Sequence, residues 1–200
     1  VLNPERLRKQ LQSMLTPGRY RHSLCVQRRA SALARLHGAD WFRAGVAGLV
    51  HDVCHCMPPE VQLKYLEEHG ILLDDFTLCH PPIWHAVTGS VFLRESLGVW
   101  DGEVLGAVRC HTTGRAAMSD LEMVVFLADK TSSDRHYPDT ARLAQASDRS
   151  LEDGMGLAMQ STVTRLAQAG RPIVRPALDA YNYYVFNETT LLRRKPSDVF

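Results

Sequence analysis

Asp40-Trp41-Phe42-Arg43-Ala44-Gly45-Val46-Ala47-Gly48-Leu49-Val50-His51-Asp52 is the stretch from which the rest of the chain can be placed. Asp40 carries a short carboxylate of the kind that accepts from the free N–H groups at a helix start. The spacing predicts a helix from Trp41 to about His55. Its apolar residues cover most faces rather than one stripe, so this helix belongs at the centre of the molecule. It leads into His51-Asp52. Burying an imidazole beside a carboxylate is costly unless coordination or hydrogen bonds compensate. A divalent cation compensates both groups, because a neutral His offers a nitrogen and Asp offers negative charge. A helix-end cap would account for an isolated His-Asp pair, so the decision rests on the surrounding chain.

Outward from this centre nearly every segment reads as helix. Asn3-Pro4 starts the first, with Leu7, Leu11, Met14 and Leu15 on one face, and Thr16-Pro17-Gly18 ends it. A second helix is expected from about Arg19 to His37, stopped by Gly38. A fourth opens at Pro58-Pro59-Glu60 and ends at Gly70. Residues 70–82 read as a connection. A fifth helix is expected from Pro82 to Leu97, and a sixth from its cap Asp101 to His111. Ser119-Asp-Leu-Glu122 has capping-box spacing and opens a seventh with a buried apolar run. Two or three more follow Pro138. Tyr181 to Phe186 has some strand propensity, but its context is helical. The fold class is therefore all-α, a single-domain helical bundle over residues 1–190 with a C-terminal tail at 191–200.

The chain has 200 residues, enough for one well-buried core. Lys plus Arg is 23 and Asp plus Glu is 22, a balance that argues against a polyanion-coating, nucleic-acid-binding protein. The longest central apolar stretch, Ala44 to Val50, is far below the roughly 18 residues of a membrane span. No basic-then-apolar leader is visible, and the five cysteines are odd in number and irregularly spaced. A cytoplasmic location is expected from this.

The nine histidines are more telling. His22, His85 and His111, like Asp129, sit in or beside apolar stretches of other inward-facing helices. One such residue is usually a satisfied core group. One on each of several helices is how bundles build metal sites. Two other patterns compete. His51 and His55 have the i, i+4 spacing of H-E-x-x-H zinc proteases, but Asp52 stands in place of the Glu base. Cys54-His55-Cys56, Cys79-His80 and Cys110-His111 suggest a zinc knot, but adjacent helical ligands diverge by about 100°.

The order His22, His51-Asp52, His85, His111, Asp129 resembles that of the HD-domain metal-dependent phosphohydrolases. Arg19-Tyr-Arg-His22-Ser, Ala47-Gly-Leu-Val-His51-Asp52, His111-Thr-Thr-Gly114, and Met118-Ser-Asp-Leu-Glu122 with Phe126-Leu-Ala-Asp129 are similar to the bacterial YqeK-type symmetrical diadenosine tetraphosphate hydrolases. The resemblance implies His22, His51, Asp52 and Asp129 as ligands of one metal, iron first, with Mn, Co or Zn as alternatives. His85 and His111 would serve a second ion or hold phosphate and water, with Asp52 bridging. Asp52, His85 and His111 are then the catalytic residues. Arg19, Thr112, Thr113, Gly114 and Arg135 would bind phosphate and nucleotide. The implied reaction is hydrolysis of diadenosine tetraphosphate to two ADP by a metal-activated water. A homodimer is an open expectation, because the sequence does not give the oligomeric state. A nucleotide-binding regulatory module with little turnover, or a hydrolase of another nucleotide, is the competing expectation. Two departures bear on this. His55 stands where the family has Lys, which implies a weaker or pH-dependent phosphate contact. Ser132 stands where it has Glu, which implies a lost outer carboxylate.

Overall fold

Helix-start signals in the sequence coincide with helix starts in the computed structural model, which describes residues 2–186. Asn3 caps α1 (Pro4–Met14), Thr16 caps α2 (Pro17–Leu36) and Asp40 caps α3 (Trp41–Val50), each through its side-chain oxygen. Then come α4 (Pro59–Glu68), α5 (Asp75–Leu78), a 3-10 turn (Pro81–Ile83) and α6 (Trp84–Glu95). Asp101 caps α7 (Gly102–Cys110), and α8 (Asp120–Thr131) opens with the full Ser119–Glu122 capping box. The chain continues through α9 (Thr140–Arg149), α10 (Leu151–Gln168) and α11 (Arg175–Val185). No strand occurs among the described residues, so the all-α class holds and Tyr181–Val185 is helical.

The central helix is where expected. Every residue of α3 from Ala44 to Val50 is buried. It lies against α2 so closely that a Cβ on Gly48 would stand 3.1 Å from both Ala30 Cβ and the Val26 carbonyl oxygen. Helix α8 closes the other side of α2, and its run Val124 to Ala128 is fully buried. Outside this lies a second layer of α9, α10 and α11, in which Met155, Met159 and Ala180 are buried. The Tyr184 hydroxyl accepts from the Met118 N–H at 2.9 Å and ties α11 to the start of α8. Helices α2, α3, α7 and α8 thus form a rigid inner group, and their ends carry the polar residues discussed below.

Three boundaries differ from the sequence reading. Helix α3 stops at Val50 rather than near His55. Residues 51–56 run on as turns with three-residue hydrogen bonds, Val53 N to Val50 O and His55 N to Asp52 O. The cause is local: the His51 ring takes the Gly48 carbonyl, which the next turn of α-helix would need. The connection at 70–82 contains α5 and the 3-10 turn, because Asp74 caps one turn through Thr77. Helix α6 spans Trp84–Glu95, two residues shorter at each end than the expected Pro82–Leu97. The tail at 191–200 lies outside the described residues.

Candidate metal centre

Six side chains from five helices and their ends converge in the interior. His22 comes from the first third of α2, His51 and Asp52 from the end of α3, His85 from α6, His111 from the end of α7 and Asp129 from α8. His22, His51, Asp52, His85 and His111 are all buried. One oxygen of Asp52, Oδ2, lies 3.2 Å from His51 Nε2 and 4.0 Å from His22 Nε2. Asp129 Oδ1 lies 3.0 Å from His22 Nε2 and 3.8 Å from His51 Nε2. The other Asp52 oxygen, Oδ1, faces His85 Nε2 at 3.1 Å and His111 Nε2 at 3.6 Å. Those two nitrogens are 3.2 Å apart. Ligands at about 2.1 Å from one cation stand about 3 Å from one another, so these separations suit a metal.

Proton positions explain why the nitrogens point inward. His51 Nδ1 donates to the Gly48 carbonyl at 2.8 Å, and His111 Nδ1 donates to the Val108 carbonyl at 2.7 Å. Both carbonyls belong to last turns of helices, where acceptors are left over. His22 Nδ1 donates to Asp134 Oδ2 at 2.8 Å, while its Nε2 accepts from Arg135 Nη2 at 3.1 Å. In His51 and His111 the Nε2 lone pair is left for the cluster, and in His22 it is shared with Arg135. His51 Nε2 is buried with no hydrogen-bond partner. Acceptors facing acceptors at these distances require a cation between them, a proton or a metal ion.

The electrostatics agree. Burial alone would raise the Asp52 carboxyl, but the surrounding His51, His111 and His85 hold it well below the usual range. Burial likewise opposes ionisation of Asp129, and His22, Lys130, His51 and Arg135 outweigh it. Burial disfavours charge on His51, yet the Asp52 and Asp129 carboxylates raise its pKa. His111, buried and beside other imidazoles, is pushed down to about 4. The buried Asp52 and the partly buried Asp129, with the imidazole nitrogens around them, make a donor set that attracts a divalent ion.

Around the cluster stand cationic groups. Arg19 Nη1 donates to Asp52 Oδ2 at 2.8 Å, and Arg135 Nη2 pairs with Asp129 Oδ1. Lys130 Nζ lies 3.9 Å from Asp129 Oδ2. A cavity of about 350 Å³ opens beside Asp129 and is lined by Lys130, Arg135, Tyr137 and Arg165. A second, of about 280 Å³, flanks His111 and is lined by Arg109, Thr112, Thr113, Gly114 and Arg115. Arg115 Nε is engaged by Glu122 at 3.2 Å.

All six expected ligand residues are therefore brought together, and Arg19 and Arg135 touch their carboxylates. Thr112, Thr113 and Gly114 line the neighbouring cavity instead. His55 stands outside the six; its ring lies tilted at 4.9 Å from that of His85, and burial pushes its pKa down to about 4. The His51–His55 zinc-protease pattern lacks the continuous helix it needs, because α3 ends at Val50. No cysteine joins a donor group among the described residues, and burial pushes the Cys54 and Cys110 thiols up to about 12. One functional neighbour was not foreseen. Ser132 does not leave His22 without an outer carboxylate, because Asp134, two residues on, supplies it. The sequence signal was the acidic residue beside Arg135, and only the turn after α8 shows where it points.

Comparison with known proteins fits this geometry. The HD domain family model matches residues 19–134, from Arg19 to Asp134. A symmetrical bis(5'-nucleosyl)-tetraphosphatase of Halalkalibacterium halodurans is 31% identical over 87% of this chain and 92% of its own. Its Bacillus subtilis counterpart is 28% identical over 92% and 98%. A crystal structure from Clostridium acetobutylicum, described as a predicted HD superfamily hydrolase involved in NAD metabolism, superposes with a TM-score of 0.90. It is 28% identical and covers 93% of this chain and 98% of its own. With the paired His51-Asp52 inside the matched region and His22, His85, His111 and Asp129 closing around it, this chain belongs to the HD domain family.

Proposed function

We propose that the chain hydrolyses a dinucleoside polyphosphate symmetrically, diadenosine tetraphosphate to two ADP, at a divalent metal centre. The observation that carries this is Asp52, whose two oxygens face separate sets of imidazole nitrogens. The relatives' names supply the substrate. His22, His51, Asp52 and Asp129 would hold one ion, for which we favour iron. Asp52, His85 and His111 would serve a second ion or position phosphate and water. A divalent ion there lowers the pKa of a water from about 15.7 towards 7 and neutralises phosphate oxygens.

The chain's own groups do the rest. Arg19 and Arg135 reach the cluster and carry paired N–H donors that suit phosphate oxygens. On substrate entry they exchange a carboxylate partner for a phosphate. Thr112, Thr113 and Gly114 offer hydroxyl and backbone donors from the cavity beside His111. Lys130 adds positive charge near Asp129. Burial keeps His111 neutral, so it can accept a hydrogen bond from water. We also propose a cytoplasmic location and a homodimer; the free cysteines suit a reducing compartment. No helix among the described residues is long and apolar enough to cross a membrane.

The test is product analysis. Iron- or cobalt-loaded protein is incubated with diadenosine tetraphosphate and the nucleotides are separated by ion exchange. The expected product is ADP alone, absent with His51→Ala and Asp52→Ala. ATP plus AMP would put the attack at another phosphorus. Bound nucleotide without turnover would overturn the hydrolase reading in favour of a regulatory module.

A further inference from the structure

His22 differs from the other two oriented histidines in one respect. His51 and His111 sit at helix ends and fix their rings with leftover backbone carbonyls. His22 lies in the sixth position of the twenty-residue helix α2, where the neighbouring carbonyls serve the helix itself. Its Nδ1 proton needs an acceptor from another element. Asp134 Oδ2 provides it at 2.8 Å, across 112 residues of sequence. Asp134 is itself braced, since Ser132 Oγ donates to its second oxygen at 2.7 Å. The brace is fixed in turn, because Ser132 is buried and its carbonyl accepts from the Arg135 N–H at 2.9 Å.

We propose that Ser132 and Asp134 form a positioning pair that holds His22 in its metal-binding tautomer and sets the affinity of the centre. The proposal rests on the metal reading above. A carboxylate acceptor makes an imidazole a stronger donor to a cation than a carbonyl does, and it adds negative charge near the ion. The turn 132–135 therefore does two jobs. Asp134, braced by Ser132, faces His22 Nδ1, while the next residue, Arg135, reaches Asp129, His22 Nε2 and the adjoining cavity. Ligand orientation on one side and anion contact on the other are set by a single tight turn after α8.

The test is metal affinity, measured by chelator competition with Co²⁺ and by the visible absorption of the bound ion. Asp134→Ala should weaken binding roughly 10- to 100-fold. Asp134→Asn, which keeps an acceptor oxygen without the charge, should fall between it and the wild type. Ser132→Ala leaves His22 and Asp134 in place and should cost several-fold, on the order of half a decade, because only the brace is lost. His51→Ala is the control for the site itself. If the wild type binds no Co²⁺, the metal reading fails and this role falls with it. If the wild type binds, His51→Ala does not, and Asp134→Ala and Ser132→Ala bind as tightly as wild type, the positioning role alone is overturned. A lowered melting temperature with unchanged Co²⁺ affinity and spectrum would also overturn it, since that is the mark of a merely structural contact.

Discussion

Asp52 is the residue on which both sides of the centre depend. Its Oδ2 serves the His22–His51 side and its Oδ1 the His85–His111 side. Asp52→Asn keeps the shape but replaces one oxygen with an N–H₂ group and removes the charge. One side then meets a donor where it needs an acceptor. Turnover is expected to fall at least about 100-fold with little loss of stability, the loss exceeding that for an outer-shell contact. Steady-state rates together with urea unfolding check this; a variant with near-normal kcat would show that Asp52 is not at the reacting centre. Much of this was legible in the sequence because the signals are local. A His-Asp pair after a helix apolar all round has few cheap explanations, and four further His and Asp residues on other helices narrow them. Asp134 was not legible. Its role depends on how the chain turns after Thr131, and short-range spacing does not say whether a carboxylate in such a turn faces inwards.

The elements position these residues by ending at the right place. Helices α3 and α7 both finish one residue before a histidine of the cluster, and each ring turns back onto a carbonyl three residues earlier. The partial negative charge at a helix C-terminus also favours a cation there. The end of α3 at Val50 is not written in the residue pattern, because Val53 and Cys54 continue its apolar run and are buried as well. Helix starts were easier, since caps are written in single residues. Asp101 is one of these. It caps α7 through the Val104 N–H at 3.1 Å and accepts from Arg43 of α3 at 2.9 Å, so it links the two helices that carry His51 and His111. Burial raises its carboxyl, but the bonds from Arg43 and Val104 more than offset this and lower it below the ordinary value. A depressed carboxylate stabilises the fold above its unfolded pKa, about 3.9, and that contribution is lost as pH falls through the folded value. Asp101→Ala should therefore cost about 1 kcal/mol at neutral pH. The gap to wild type should narrow below about pH 4. Urea titrations at several pH values test this; a gap constant with pH would show that the charge of Asp101 contributes nothing.

At the scale of the whole molecule, the centre is a crosslink among α2, α3, α6, α7 and α8. An ion held by ligands from all of them binds only the folded state, so it stabilises the fold by mass action. At a concentration 100 times its dissociation constant the gain is about 2.7 kcal/mol. For a domain of this size that corresponds to about 5–11 °C in melting temperature. Adding Co²⁺ or Mn²⁺ to chelator-treated protein should produce this rise, and excess EDTA should reverse it. The rise should disappear in His51→Ala. In Asp101→Ala it should persist in full from a lower starting temperature, because that cap lies on the scaffold and offers the ion no ligand. The comparison separates two ways in which the same helices matter. If Asp101→Ala also loses the metal-dependent rise, the angle between α3 and α7 is itself set by the cap, and the centre is less preformed than its distances imply. If neither variant changes the rise, the ion binds elsewhere and the convergence of His51, His111 and Asp52 has another cause.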